Sequence, residues 1–197
     1  MIEALKSLFN RATAARNEGH DDEAERLYKE AAEAARAQDT VGRAEALIGA
    51  AQIRRQRGDR SGASIYLSEA ITLLRNEFAT QSECIAPTLA YALTNAAELR
   101  GELGENAVAG TQIEEAVRLY RAIEPLPTLD LANALRVSAM NNEREALAAW
   151  TEAQTLYITI RENASIDEAQ RHLEYLQQIA PGFQVTDPAA NRQETTL

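Results

Sequence analysis

His20, Asp21, Asp22 and Glu23 stand in a row within GHDDEAERLYKEA, and all four are types that bind metals or move protons. A metal site needs three or four ligands converging on one point. Consecutive residues at a helix start point in different directions, so at most two of these could converge. A helix start explains the pattern better. Asp21 or Asp22 would cap the helix, and acids favour the positive end of its dipole. Asp59, Glu105 and Glu143 stand near the equivalent place further along. Glu168 and His172 lie one helical turn apart and could begin a metal site, but no third ligand accompanies them. An exposed ion pair or plain solvation is expected there. Cys84, within TQSEC, has no local histidine or cation to lower its pKa, and is assigned to a loop or helix start. There is no Gly-rich phosphate loop and no Gly-x-Ser-x-Gly elbow. The expectation is a chain without catalytic residues, metal or cofactor.

The elements that carry these residues follow from composition. Of the 197 residues 45% are hydrophobic but only 5% aromatic, and alanine, the best helix former, supplies much of the apolar count. Five prolines and nine glycines punctuate the chain. Runs of Val, Ile and Thr that would mark strands are nearly absent, so an all-α protein is expected. The net charge of −10 offers no global basic field for nucleic acid or an anionic membrane. The one cysteine cannot form an internal disulfide, which fits a reducing compartment. The N-terminal MIEALKSLFNRA lacks a basic leader followed by an apolar stretch, and no run approaches ~18 apolar residues. A cytoplasmic location follows as an expectation, and the sequon Asn163-Ala164-Ser165 reads as accidental.

Two patterns repeat. Gly-x4-Ala-x3-large-x2-Ala runs through Gly19, Ala24, Tyr28 and Ala31, then Gly58, Ala63, Leu67 and Ala70, then Gly104, Ala109, Ile113 and Ala116. A fourth copy has Asn141 for Gly, followed by Ala146, Trp150 and Ala153. Glycine and asparagine both suit a left-handed turn between helices. The alanines share a helical face and permit close helix crossings, with the large residue filling the gap between them. A second pattern, Ala-x-Ala-Leu-x-x-(Ala/Ser)-Ala, precedes the turns, starting at Ala44, Ala90 and Ala132, with a looser copy through Leu8 and Ala12. Each unit is thus a helix A, a turn and a helix B. Unequal spacing between the third and fourth copies predicts a shortened helix or turn near AMNNERE.

These residues, above all APTLAYALTNAAELRGELGENAVAGTQIEEAVRLY, resemble a tetratricopeptide repeat protein, nearest the kinesin-light-chain type with its period of about 42 residues. The resemblance covers roughly residues 3 to 162. It implies a right-handed α-solenoid of four helix-turn-helix repeats (about 2–38, 41–79, 86–123 and 126–162). SIDEAQRHLEYLQQIA is amphipathic and forms a capping helix over 165–180, with Ser165 as N-cap and Glu168 completing a capping box. The repeat domain then spans 1–180. The proline-containing 181–197 reads as a flexible tail, and its final Glu194-Thr195-Thr196-Leu197 resembles a weak PDZ-ligand motif. The usual aromatic late in helix A is replaced by Arg54 and Arg100, which should reach solvent along their stems or loosen the packing.

The A helices (2–18, 41–57, 86–103 and 126–140) carry a net +3 and the B helices −7. In the resembled family the A helices line a concave groove, which here would be less acidic than the shell around it and locally basic. Such a groove attracts an acidic or extended peptide. The resemblance maps groove positions onto Asn10 and Asn95, onto Thr13, Gln52 and Glu98, and onto Arg16 and Arg55, with Arg54 beside them. Asparagine at the first position resembles residues that hold a peptide backbone, and Gly49 interrupts that series. Phe9 and Thr13 stand where a carboxylate clamp for chaperone C-termini needs lysine and asparagine, so that partner is disfavoured. The expected function is a protein–protein interaction scaffold or adaptor. Alternative readings are a self-assembling module, or a sensor of a small ligand or signal peptide.

Overall fold

A computed structural model describes residues 2–35, 39–141 and 146–179; of the terminal two, Ile2 and Ile179, only the backbone is described. The expected tail, 181–197, lies outside these residues. Among them the chain forms α1 (Ile2–Asn17), α2 (Asp21–Ala35), α3 (Thr40–Gln56), α4 (Arg60–Phe78), α5 (Ser82–Glu102), α6 (Asn106–Arg121), α7 (Thr128–Asn141), α8 (Ala146–Ile160) and α9 (Asn163–Ile179). Each helix packs on the next, and α1, α3, α5 and α7 also touch one another in order. Consecutive even-numbered helices, among the described residues, show no comparable packing. A stack whose odd-numbered row is the closer spaced bends toward that row, which becomes the inner wall.

The repeated alanines and their companions make the core. Ala24, Ala31, Ala63, Ala70, Ala109, Ala116 and Ala153 are fully buried, and so, to a few per cent, are Tyr28, Leu67, Ile113 and Trp150 at the large position. The odd-numbered helices answer with Ala44, Ala46, Leu47, Ala50 and Ala51 in α3 and the corresponding residues of α5 and α7. Small side chains bring the backbones together, and one large side chain per turn of contact fills the space left between them.

Three turns are built alike. Gly19, Gly58 and Gly104 have φ of 77°, 81° and 76°. The next amide in each case, from His20, Asp59 and Glu105, donates back to the carbonyl of Ala15, Arg54 and Arg100 at 2.8, 2.9 and 2.9 Å. These are left-handed helix stops, and glycine is favoured because it carries no Cβ. Open space surrounds all three positions, so conformation rather than crowding sets the requirement.

The fourth turn, expected near AMNNERE, lies largely in 142–145, outside the described residues. Asn141 is the last residue of α7 and does not take a left-handed φ. Its side-chain amide donates to the Val137 carbonyl at 2.8 Å. Helix starts also differ from the pattern, and α7 begins at Thr128, two residues after the expected 126. Helix α5 begins at Ser82, four residues before the expected 86, and carries Pro87 inside it. A proline there forfeits one hydrogen bond, and the burial of Ile85 and Leu89 beside it offsets that loss. Helix α9 begins at Asn163, so Ser165 lies inside the first turn and is not the N-cap. Among the described residues, the capping side chains are Asp39 and Asp59, which accept from the amides of Gly42 and Gly62 at 2.8 and 2.9 Å.

Candidate binding groove

A polar ladder crosses the inner wall. From α1, Arg16 donates to the Gln52 carbonyl oxygen of α3 at 2.9 Å. The Gln52 amide nitrogen donates in turn to the Tyr91 hydroxyl at 2.7 Å and to Asn95 Oδ1 at 3.1 Å, both on α5. One turn further along α3, Arg55 pairs with Glu98 and Glu102 of α5. Glu98 also takes Arg136 of α7 at 3.0 Å, and Arg136 approaches Glu168 of α9 at 4.0 Å. All four odd-numbered repeat helices and α9 are thus joined through side chains. Burial by itself would raise the Glu98 carboxyl pKa, but the two guanidiniums outweigh it and hold that carboxyl below the usual range. The same pairing raises the pKa of Arg55 and Arg136 against the cost of burial.

Beside the ladder lies a cavity of about 320 Å³ between α1, α3 and α5. Phe9, Ile48, Pro87 and Tyr91 give it apolar walls; Arg16 and Gln52 line it too, as does Glu45. Gly49 lets the Tyr28 ring of α2 reach this wall, since a Cβ there would come within 2.5 Å of the ring. The Tyr28 hydroxyl lies 3.4 Å from the Thr13 hydroxyl of α1, and its ring meets Phe9 edge-on with centroids 6.2 Å apart. Glu45 differs from the other acids of the wall. Glu45 is exposed; partial desolvation by the cavity wall raises its carboxyl pKa and Asp39 raises it further, and it has no hydrogen bond or ion pair among the described residues.

The candidate residues separate into groups. Arg16, Gln52, Asn95, Arg55 and Glu98 meet on the inner wall. The Asn95 amide is used internally at both ends, its nitrogen donating to the Tyr91 carbonyl at 2.8 Å. Thr13 is engaged with Tyr28, and Asn10 stands exposed on α1. Arg54 is drawn elsewhere. It pairs with Glu25 of α2 and Asp59 at 2.9 Å each, and its guanidinium lies 5.1 Å from the Tyr66 ring centre of α4. Arg100 pairs with Glu105 in the equivalent way. Arginine at this position therefore ties helix A to the start of helix B, which neither loosened packing nor simple solvation describes.

His20 to Glu23 resolves into the start of α2. Asp21 and Asp22 lie in its first turn and approach Arg57 at 3.6 and 2.6 Å, while His20 approaches Glu18 at 3.3 Å. No capping bond from either aspartate is present among the described residues, so their role there is ion pairing. His172 corrects a second expectation. It stacks on Trp150, with centroids 4.4 Å apart and planes 7° from parallel, and does not pair with Glu168. The cross-helix stack covers the indole at the end of the core. Cys84 is exposed in the first turns of α5.

Tyr91, Arg136 and Glu45 were not among the sequence candidates. Lys6, Glu45, Tyr91 and Asn133 share one repeat position and differ in chemistry, so no consensus marks it. Arg136 shares its position with Phe9, Ile48 and Thr94, where an arginine is not foreshadowed.

No family model matches the chain, and no curated protein matches it. Solved structures do. The kinesin-light-chain TPR-like repeats of Podosopora anserina share 15% identity at a TM-score of 0.54, over 91% of this chain and 98% of that one. A single-substitution form of the same repeats gives 17% identity and the same TM-score of 0.54, over 90% and 94%. BtubC (BKLC) from P. vanneervenii gives 14% identity, again at 0.54, over 94% and 83%. At these identities the likeness concerns architecture, and it agrees with the repeats, the glycine turns and the closely spaced inner row: the chain has the fold of a TPR-like helical repeat protein.

Proposed function

We propose that the inner wall binds an extended segment of a partner protein, so that the chain acts as an interaction scaffold. The observation that carries this reading is the open apolar cavity between α1, α3 and α5, rimmed by hydrogen-bonding side chains. Apolar walls with a few placed polar groups are the usual make-up of a recognition site. The preference for acidic ligands rests mainly on Arg16. Arg55 and Arg136 are neutralised by Glu98 and Glu102, whereas Arg16, among the described residues, meets the uncharged Gln52. Tyr91, 40% exposed, offers a ring face for a ligand side chain.

The test is selection of a random-peptide display library on the full chain, repeated on Arg16→Glu and Tyr91→Ala. Neither change removes a buried apolar group, so both variants should keep their helical signal and melting temperature. Peptides enriched on the parent should bind the Arg16→Glu variant about tenfold or more weakly, a loss of about 1.4 kcal/mol. Equal binding to parent and both variants would place recognition on another surface.

A further inference from the structure

We propose that Glu45 is a cation-recognition point, accepting a lysine or arginine side chain of the bound segment while a neighbouring apolar residue lies against Phe9, Ile48 and Tyr91. This rests on the groove-binding reading and adds the chemistry of its ligand.

Charge complementarity carries it. Several acids are matched with arginine: Glu98 and Glu102 with Arg55, Glu25 with Arg54, Glu105 with Arg100, Glu115 with Arg75, and Glu152 with Arg121. Glu45 lines the cavity with no such partner among the described residues. The charge acting on it is another carboxylate, Asp39, and the cavity wall takes part of its hydration, so its pKa is raised. The carboxylate stays in contact with solvent on the cavity wall, and a ligand cation there would offset the repulsion from Asp39. Arg43, two residues earlier, is turned to Glu69 at 2.6 Å and is not available to it. Phe9, Tyr28 and Tyr91 line the same cavity, and aromatic faces also attract a cation.

The geometry adds a register. The same cavity reaches Arg16 and Gln52 at its other end. At roughly 1.5 Å per residue, the stretch of α3 from Glu45 to Gln52 spans about 10 Å. An extended chain covers that distance in about three residues. A ligand with a basic residue at Glu45 would then place an acidic residue about three positions away, at Arg16. Opposite charges at the two ends fix the direction in which the segment lies.

The experiment is the same display selection, run in parallel on the full chain and on Glu45→Gln. The parent should enrich peptides with a basic residue about three positions from an acidic one. Glu45→Gln should lose the basic preference and keep the acidic one, at an unchanged or higher melting temperature. An individual selected peptide, with its basic residue changed to glutamine, should bind the parent roughly tenfold more weakly and bind Glu45→Gln no worse than before the change. Peptides that depend on Arg16 but lack a basic residue, or a basic preference that survives in Glu45→Gln, would overturn this role and leave groove binding standing. Failure to enrich any peptide on the parent would overturn both. The peptide substitution is read on the unaltered protein, so the outcome does not depend on how the variant folds.

Discussion

At position 49 a methyl group has nowhere to go. Its carbon would lie 2.5 Å from the Tyr28 ring, which is itself buried. Gly49→Ala should therefore cost about 1–3 kcal/mol, the usual penalty of overpacking, and weaken peptide capture by pushing the ring into the cavity. Chemical denaturation and display binding read the two effects separately. Arg161 is the opposite case, a side chain in a conformation made for glycine, with φ of 60° at the end of α8. Arg161→Gly should stabilise by about 1 kcal/mol, because only the arginine bears the left-handed cost; a lower melting temperature would contradict this. Glu98 makes a pH prediction. Its folded-state pKa is depressed, so it contributes stability above the unfolded pKa, and that contribution is lost as pH falls through the folded value. Glu98→Gln should be less stable than the parent by about 1–2 kcal/mol at neutral pH. The gap should close on the acid side, below the ordinary carboxylate range.

At the scale of the element, one arginine position does different work from its neighbour. Arg54 and Arg55 are consecutive on α3, yet Arg54 turns to Glu25 and Tyr66 while Arg55 turns to Glu98 and Glu102. Burial works to raise the Glu25 carboxyl pKa, and Lys29 and Arg54 lower it overall. Arg54→Met should destabilise by about 1–3 kcal/mol, since Glu25 loses a partner at a largely buried place. Display binding should not change, and a loss comparable to that of Arg16→Glu would show that the two faces are not independent. Helix α9 closes the other end of the stack. Ala169 and Leu173 are buried in it, and His172 covers Trp150. His172→Ala should cost about 0.5–1.5 kcal/mol. Removing the chain from residue 163 onward should instead expose the indole and produce concentration-dependent aggregation in light scattering.

Across the whole molecule, the helical repeat was legible in the sequence because it is written in periodic small residues. Alanine at fixed spacing permits close helix contact, and three of the expected turns carry the glycine that a left-handed stop favours. Helix ends were less legible. Pro87 and Ser165 look like boundaries, but the burial of Ile85 and Leu89 extends α5 past the one, and α9 starts ahead of the other. The candidate groove was legible only in part. Charge segregation pointed to the odd-numbered helices, and Arg16, Gln52, Asn95, Arg55 and Glu98 do meet there. Which charges remain available is a matter of partners on other helices, and spacing along one helix cannot supply those. By itself the sequence determined the helices, their glycine turns and their close contacts, all set by short-range periodicity. Tertiary structure decided that Arg55 and Arg136 share one carboxylate, that Arg54 leaves the wall, and that Glu45 lines the cavity with no partner among the described residues. Side chains from helices some forty residues apart meet only when the stack bends and closes its inner row.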